Sequence, residues 1–410
     1  MAIPNPWRGL RGLPAEVWVV AGATLVNRMG TMVLPFLVLY LTQHLGYPAG
    51  TAGLVLAVYG AGGLVSSPFA GKLCDRIGAL RVMQGALILA GGTCLLFPLA
   101  KGLGPVLALT GLLAVTAEAV RPASLAALVG ALSPEKRTAA IALNRLAINL
   151  GMSVGPAVGG FLVMVSFPLI FVVDGITSIA AGVVLAVMAA RSRARAPRDA
   201  PAEAAATALP SASVLRDGPM LVYLSGLFLL GVVFLQHEAA MAVFLVRDLG
   251  FRESFYGMLF AVNTLVIVAV EVPLNLAMAR WPHRRSLVLG AFLCAAGFGA
   301  LALVSGPAGV LATVLVWTVG EMVFFPVSAS YVADVAPPGR RGEYMGAYAT
   351  AWGLAFTVGP WAGTAVLDRF GAVTLWTAVF VVGVAAAAVI GRAVQPRPAG
   401  EPAPAPLAPA

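Results

Sequence analysis

Apolar runs separated by short polar turns organise this chain from end to end. Each run is roughly 20 to 30 residues long, enough to cross a hydrocarbon core about 30 Å thick as an α-helix with some tilt. The pattern predicts twelve spans, approximately at 16–42, 51–70, 80–100, 104–133, 138–165, 168–190, 218–246, 254–279, 286–304, 308–333, 342–367 and 372–391. The expected fold is therefore an all-α membrane protein with twelve transmembrane helices. The first span is too long for the apolar core of a cleaved signal, and no small-residue cleavage site follows it, so it reads as retained.

The pattern also repeats. Sliding residues 27 to 160 by 204 positions superposes Leu45-Gly46 on Leu249-Gly250, Pro122-x-Ser124 on Pro326-x-Ser328, Pro134-x-x-Arg137 on Pro338-x-x-Arg341 and Gly155-Pro156 on Gly359-Pro360, without gaps. Six spans per half predict two pseudo-symmetric six-helix bundles, at 1–191 and 217–394. An Ala-, Pro- and Arg-rich linker at 192–216 is expected to be flexible and cytoplasmic, and the Pro-Ala repeats of the tail at 395–410 predict disorder. A doubled apolar unit is how a transporter is built whose halves rock about a central site.

Composition narrows the reading. Of 410 residues 60% are hydrophobic and 10% charged, with a mean hydropathy of +0.92, which leaves too little polar surface for a soluble domain and makes the lipid bilayer a partner. The net charge of +9 is a topology signal: nineteen Lys and Arg residues fall in the termini, the linker and one alternating set of loops, against Lys101, Arg247, Arg252 and Arg369 in the other set. The positive-inside rule then places both termini in the cytoplasm of a multi-pass protein of the inner or plasma membrane. No basic, aromatic-interleaved soluble domain supports nucleic-acid binding. Cys74, Cys94 and Cys294 lie far apart in sequence and suggest neither a disulfide framework nor a metal cluster.

Between spans 2 and 3 the chain reads Gly71-Lys72-Leu73-Cys74-Asp75-Arg76-Ile77-Gly78. This resembles the G-x-L-a-D-R-x-G loop of the major facilitator superfamily. The resemblance implies a conformational latch in which Asp75 meets a helix end of the other half, with Gly71, Arg76 and Gly78 shaping the loop. Ala79 and Leu80 stand where the family has basic residues, and Arg81 is the available substitute. Span 5 carries Gly151-x-x-x-Gly155-Pro156-x-x-Gly159-Gly160, where small residues allow close helix approach and the proline removes a backbone hydrogen bond. It is similar to a motif associated in that superfamily with proton-linked antiporters, with Ala142 in place of an upstream glycine. Helix packing alone is the other reading, because Gly359-Pro360 and Gly363 echo the pattern. Glu118-x-x-Arg121-Pro122, the run from Asn144 to Gly151 and Asp174-Gly175-x-Thr177 resemble the twelve-span drug:proton antiporter branch of multidrug efflux proteins.

An ionisable side chain inside a span costs several kcal/mol unless it is paired, hydrated or neutralised, so each is a functional candidate. The first half carries Arg28, Arg121 and Arg145 with Glu118 and Asp174 in its spans, and the second carries Glu238, Glu271 and Glu321 without Lys or Arg. The first half is thus expected to be cationic inside and the second anionic. Glu321 and Glu238 have no basic neighbour in their spans except His237, which makes them the favoured proton or cation sites; a salt bridge to Arg28 or Arg145 across the interface is the competing reading. Glu118 is a third proton-coupling candidate, although Arg121 three residues on is close enough to pair with it and give it an organising role. Glu271 suits a gate or helix end, and Asp174 a local cap or local pairing rather than proton carriage. Asn27, Arg28, Arg121, Arg145, Asn149, Asn263, Trp317 and Trp352 are the substrate-cavity candidates, within an adaptable aromatic and Met-rich wall that also draws on Tyr40, Phe234, Met241, Phe255 and Phe324.

No phosphate-binding G-x-x-x-x-G-K-[ST] loop, zinc or haem motif or nucleophile constellation is present, so neither catalysis nor a cofactor or metal is expected. The function expected is secondary active transport by a monomer, as proton-coupled export of an amphipathic or cationic small molecule. A proton-coupled carrier of an endogenous metabolite, sugar or lipid, or a non-transporting sensor or scaffold, is the alternative.

Overall fold

The computed structural model describes residues 13–30, 32–130, 134–193, 214–278, 280–337 and 340–394, and every regular element among them is helical. In the first half α1 covers Ala15–His44, α2 Ala49–Ile77, α3 Ala79–Leu99, α4 Leu103–Gly130, α5 Pro134–Val165 and α6 Pro168–Arg193. In the second, α7 covers Gly218–Asp248, α8 Glu253–Met278, α9 His283–Leu303 and α10 Pro307–Val335. The last stretch, Arg341–Ala393, runs for 53 residues but breaks at Gly371, where φ is +80°. Glycine reaches that left-handed region at little cost, so α11 ends and α12 begins there. Twelve spans result, as the apolar pattern predicts. The helices overrun the predicted apolar limits at the end that bears the Gly71–Arg81 loop, as in α2, which continues to Ile77. The expected N-terminal charges Arg8 and Arg11, most of the linker (194–213) and the tail at 395–410 lie outside the described residues.

The linker's final residues depart from the expectation of flexibility. Val214–Arg216 forms a single tight turn whose Val214 N–H donates to Glu343 Oε1 at 2.6 Å, and the Tyr344 hydroxyl donates to Asp217 Oδ2 at 2.6 Å. Asp217 also caps α7 by accepting from Met220 N–H at 3.0 Å. The link between the halves is thereby tied to the start of α11.

Both bundles contain an interrupted first helix. α1 is described as two helical pieces, Ala15–Gly30 and Val33–His44, and α7 passes through a tight turn at Leu235–Glu238 that ends at Ala239 with φ −139° and ψ −73°. Each helix closes in a wide turn, Tyr40–His44 and Phe244–Asp248, at the same 204-residue offset. Against each interruption lies a glycine. A Cβ on Gly155 would sit 3.0 Å from the carbonyls of Arg28 and Met29, and one on Gly359 would sit 3.2 Å from the Cα of Val232. Those partners too are equivalent in the repeat, so the two Gly-Pro pairs seat α5 and α11 on the broken helices. Gly151 packs on Arg28, Gly159 on Met32 and Phe36, and Gly160 on Ser254 of α8.

The halves meet along α2–α11 and α5–α8. Gly53 faces Pro360, Trp361 and Thr364, Gly60 faces Thr357, Leu64 faces Gly353, and Gly257 faces the Pro156 carbonyl. Phe36 and Tyr256 add an edge-on ring contact across the same seam at 5.5 Å. At the seam's end the Gly50 N–H, in the first turn of α2, donates to Asp368 Oδ2 at 2.8 Å, and Arg247 Nη1 holds Asp368 Oδ1 at 2.6 Å. The halves are therefore tied by a side-chain hydrogen bond at the end with few basic loops.

Candidate transport site

Two polar clusters lie inside the bundles, one per half, and they share a plan. In the second half the Asn263 amide of α8 donates to Glu321 Oε2 of α10 at 3.0 Å and to Thr318 Oγ1 at 2.9 Å. In the first, the Tyr59 hydroxyl of α2 donates to Glu118 Oε1 of α4 at 3.1 Å. Tyr59 and Asn263 are equivalent under the 204-residue offset, and Glu118 and Glu321 miss equivalence by one residue. Each half thus presents a carboxylate held by a donor from the neighbouring helix.

Glu238 sits in the break of α7. His237 Nε2 lies 3.2 Å from Glu238 Oε1 and its Nδ1 is 2.6 Å from the Phe234 carbonyl, while Glu238 Oε2 is buried without a hydrogen-bond partner. Tyr256 donates to the His237 carbonyl at 2.8 Å, which ties the break to α8. His237, Met241, Tyr256, Leu259, Phe260 and Trp317 line a small apolar cavity beside it. Trp317 is buried and stacks on Phe298 at 5.2 Å, and Trp352 meets Phe325 at 5.2 Å and Phe234 at 6.2 Å. Met241 and the two tryptophans thus belong to an aromatic region around Glu238. Tyr40 does not, because it packs on Phe97 and Phe171, while Phe324 lies against Gly290 and reaches the region through Phe325 at 5.6 Å.

The first-half cluster is richer than the sequence suggests. Its cavity is lined by Asn27, Arg28, Tyr59, Glu118, Asp174 and Ser178 among apolar residues that include Val33 and Leu113. Asn27 Nδ2 donates to Ser178 Oγ at 3.2 Å, and Ser178 in turn donates to Asp174 Oδ1 at 3.2 Å. Asp174 is buried and lines the cavity with Arg28 and Glu118, and its local partner is Ser178, four residues on, rather than the first turn of α6. The expected Glu118–Arg121 pair is not formed: Arg121 is exposed, and Tyr59 supplies the contact to Glu118. Three positions along a helix bring two residues to one face only if both turn the same way, and the glutamate turns toward α2. Of the basic residues expected inside this half, only Arg28 lines the cavity; Asn149 is exposed, and the side chain of Arg145 lies outside the described set. Among the described residues, the cavity holds two carboxylates and one guanidinium.

The residues expected to act as a latch lie at the end of α2 and the start of α3. Asp75 and Arg76 are exposed with no ion pair among the described residues, and Arg81 reaches only the Ile77 carbonyl at 3.4 Å. Gly78 has φ +92°, a value that a side chain would strain, and it joins α2 to α3 without a gap. Sequence reasoning missed Tyr59, Ser178 and Thr318 as partners. Tyr59 had a readable signal, because the repeat aligns it with Asn263.

A family model for the Major Facilitator Superfamily matches residues 20–316 and 238–409 of the chain. The uncharacterised MFS-type transporter YqjV of Bacillus subtilis is 27% identical over 371 residues, covering 87% of this chain and 87% of the relative. A Na(+), Li(+), K(+)/H(+) antiporter of Planococcus maritimus is 22% identical over 369 residues, 83% of this chain and 85% of its own. The multidrug resistance protein MdtH of Aeromonas hydrophila is 24% identical over 340 residues, 80% and 82% of the two chains.

Proposed function

Because the chain belongs to the major facilitator superfamily, we propose that it is a proton-coupled antiporter that exports amphipathic, cationic small molecules by alternating access, with its basic-loop end in the cytoplasm. The observation that carries this reading is Glu321, a carboxylate on α10 held by the Asn263 amide of α8, which also reaches Thr318, beside the aromatic wall around Trp317. An ionised carboxylate there is costly until something neutralises it, and a proton or a cationic substrate does so equally well. Competition between the two for one oxygen pair is what exchange transport requires. With Glu321 protonated, Asn263 loses a strong acceptor, and the second half is free to repack against the first. In this reading a substrate from the cytoplasm enters at the basic-loop end, and closure there with release of the Gly50–Asp368 contact opens the far side. Export by an antiporter also agrees with the names of two relatives, one an antiporter and one a multidrug resistance protein.

The antiporter relative favours a second reading, in which the cation exchanged for protons is an alkali metal ion. Proteoliposomes with an imposed pH gradient test both. Wild-type protein is expected to concentrate tetraphenylphosphonium and to move protons in the opposite direction, and Glu321→Gln to abolish both. A Glu321→Gln protein that still accumulates the probe against its gradient overturns the assignment, and proton movement evoked by sodium or potassium but not by the organic cation selects the second reading.

A further inference from the structure

The loop between α8 and α9 is the repeat's counterpart of the Gly71–Arg81 loop, and its chemistry has changed in one direction. Under the 204-residue offset Arg76 and Arg81 recur as Arg280 and Arg285, but Asp75 becomes Ala279, Ile77 becomes Trp281 and Leu80 becomes Arg284. The second loop has thus lost the acid that could pair with another helix end and has gained a cation and an aromatic ring. Arg280, Arg284 and Arg285 are exposed and form no ion pair among the described residues. The acid that meets this loop, Asp334 of α10, stands 3.8 Å from His283 Nε2 rather than against an arginine.

The arginines are positioned by contacts that leave their charge unbalanced. The Arg285 guanidinium lies over the Trp281 ring at 4.1 Å, which orients it without neutralising it. Arg284 donates its Nε–H to the Gly391 carbonyl in the last turn of α12 at 2.7 Å, leaving its terminal nitrogens for another acceptor. Arg392, the next residue of α12, is exposed as well. The two helices are close here, since a Cβ on Gly391 would sit 3.0 Å from Val288 Cγ2 of α9. Beneath this cationic rim the surface turns apolar. Phe292, two helical turns beyond Arg285 on the same face of α9, is 44% exposed, and Val381, three turns before Arg392 on the same face of α12, is 60% exposed. Guanidinium groups match a phosphate in charge and fork geometry, an aromatic ring suits the headgroup level, and the apolar faces match acyl chains. We infer that Trp281, Arg284, Arg285 and Arg392 form a binding site for the headgroup of one anionic phospholipid at the end of the α9–α12 seam, with its acyl chains lying toward Phe292 and Val381. The site stands apart from Glu321 and needs no transported substrate.

Native mass spectrometry of the full chain in detergent micelles, titrated with phosphatidylglycerol or with phosphatidylcholine of the same acyl chains, counts the lipids retained. The wild-type protein is expected to retain one phosphatidylglycerol in preference to phosphatidylcholine. An arginine near an anionic headgroup contributes roughly fivefold, so Arg284→Gln with Arg285→Gln is expected to weaken that retention about 25-fold. Lys72→Gln with Arg76→Gln removes the same charge from the equivalent loop of the first half and is expected to match the wild type. Arg285→Gln and Trp281→Leu, made singly, leave the Gly391 contact in place; each is expected to weaken retention, and they decide the matter where the double variant fails to fold. Equal retention of the two lipids by the wild type overturns the inference, as does wild-type retention in both single variants. An equal loss in the two double variants also overturns it, because basic loops would then attract the lipid without a site. Retention is read without substrate, so a failed Glu321 assignment and a failed lipid site give different results.

Discussion

Replacing Asp368 with alanine removes the one side-chain contact that caps α2 from across the seam. Asp368 makes two contacts, to the Gly50 N–H at 2.8 Å and to Arg247 at 2.6 Å, and they weigh differently. Arg247 and Asp368 belong to the same half and move together, so their partly exposed ion pair, worth about 0–1 kcal/mol, largely cancels between conformations. The bond to Gly50 exists only while the closed end is sealed. A carboxylate that caps the first turn of a helix contributes about 1 kcal/mol, to which the helix dipole belongs in part. Losing about 1 kcal/mol changes a two-state ratio by roughly fivefold. The assay is a pulsed electron-resonance distance measurement between labels at Gln43 and Arg252, which are exposed near this end in opposite halves, in a background without the three buried cysteines. The fraction of long distances is expected to rise about fivefold in Asp368→Ala, and by clearly less in Arg247→Ala. An unchanged distribution, or an Arg247→Ala shift as large as that of Asp368→Ala, refutes the assignment of the cross-half bond as the working part.

Two further substitutions test the frame. Gly155→Val is expected to lower the unfolding midpoint in detergent, because its Cβ would sit 3.0 Å from two carbonyls of α1; overpacking of this kind costs about 1–3 kcal/mol, and a midpoint equal to wild type would show that α1 yields freely. Asp75→Asn is expected to leave the midpoint unchanged, since Asp75 is exposed and unpaired in this conformation, while moving the Gln43–Arg252 distances toward the sealed arrangement if the latch acts only in the opposite one. A destabilised Asp75→Asn protein would mean that the carboxylate already has structural work here.

Spans, bundles and close-packing glycines were legible because they depend on quantities that a sequence carries directly: run length, small residues at fixed spacing, and a repeat offset. Partnerships inside the membrane depend instead on helix rotation, which turns about 100° per residue and leaves no trace in composition. Glu118 illustrates the difference. Its sequence neighbour Arg121 looked like its partner, yet the glutamate side chain meets Tyr59 of α2 and the arginine is exposed. Asp174 was legible only in part: a local partner was expected and Ser178 is one, but the helix begins at Pro168, which puts the aspartate nearly two turns inside and in a cavity shared with Arg28, Tyr59 and Glu118 of three other helices.

The one-residue slip between the two carboxylates bears on how a duplicated scaffold acquires two different sites. Consecutive helix positions point about 100° apart, so Glu118 and Glu321 leave their helices in different directions although α4 and α10 are equivalent. The donors compensate. Tyr59, in the first half, extends its hydroxyl well beyond the backbone of α2, whereas Asn263 at the same position of α8 reaches its glutamate with a short amide. The donor position was therefore retained while donor length and acid position changed together. The surrounding charges diverged as well: Arg28 beside Glu118 has Val232 as its repeat equivalent, and His237 near Glu321 has Val33. The guanidinium stays charged at any physiological pH, whereas the imidazole can lose its charge there. A carboxylate beside a permanent cation has its charge balanced at all times, but one beside a histidine can lose that balance during a transport cycle. That asymmetry gives the second half the larger swing in net charge and makes Glu321 the stronger candidate for the exchanging site.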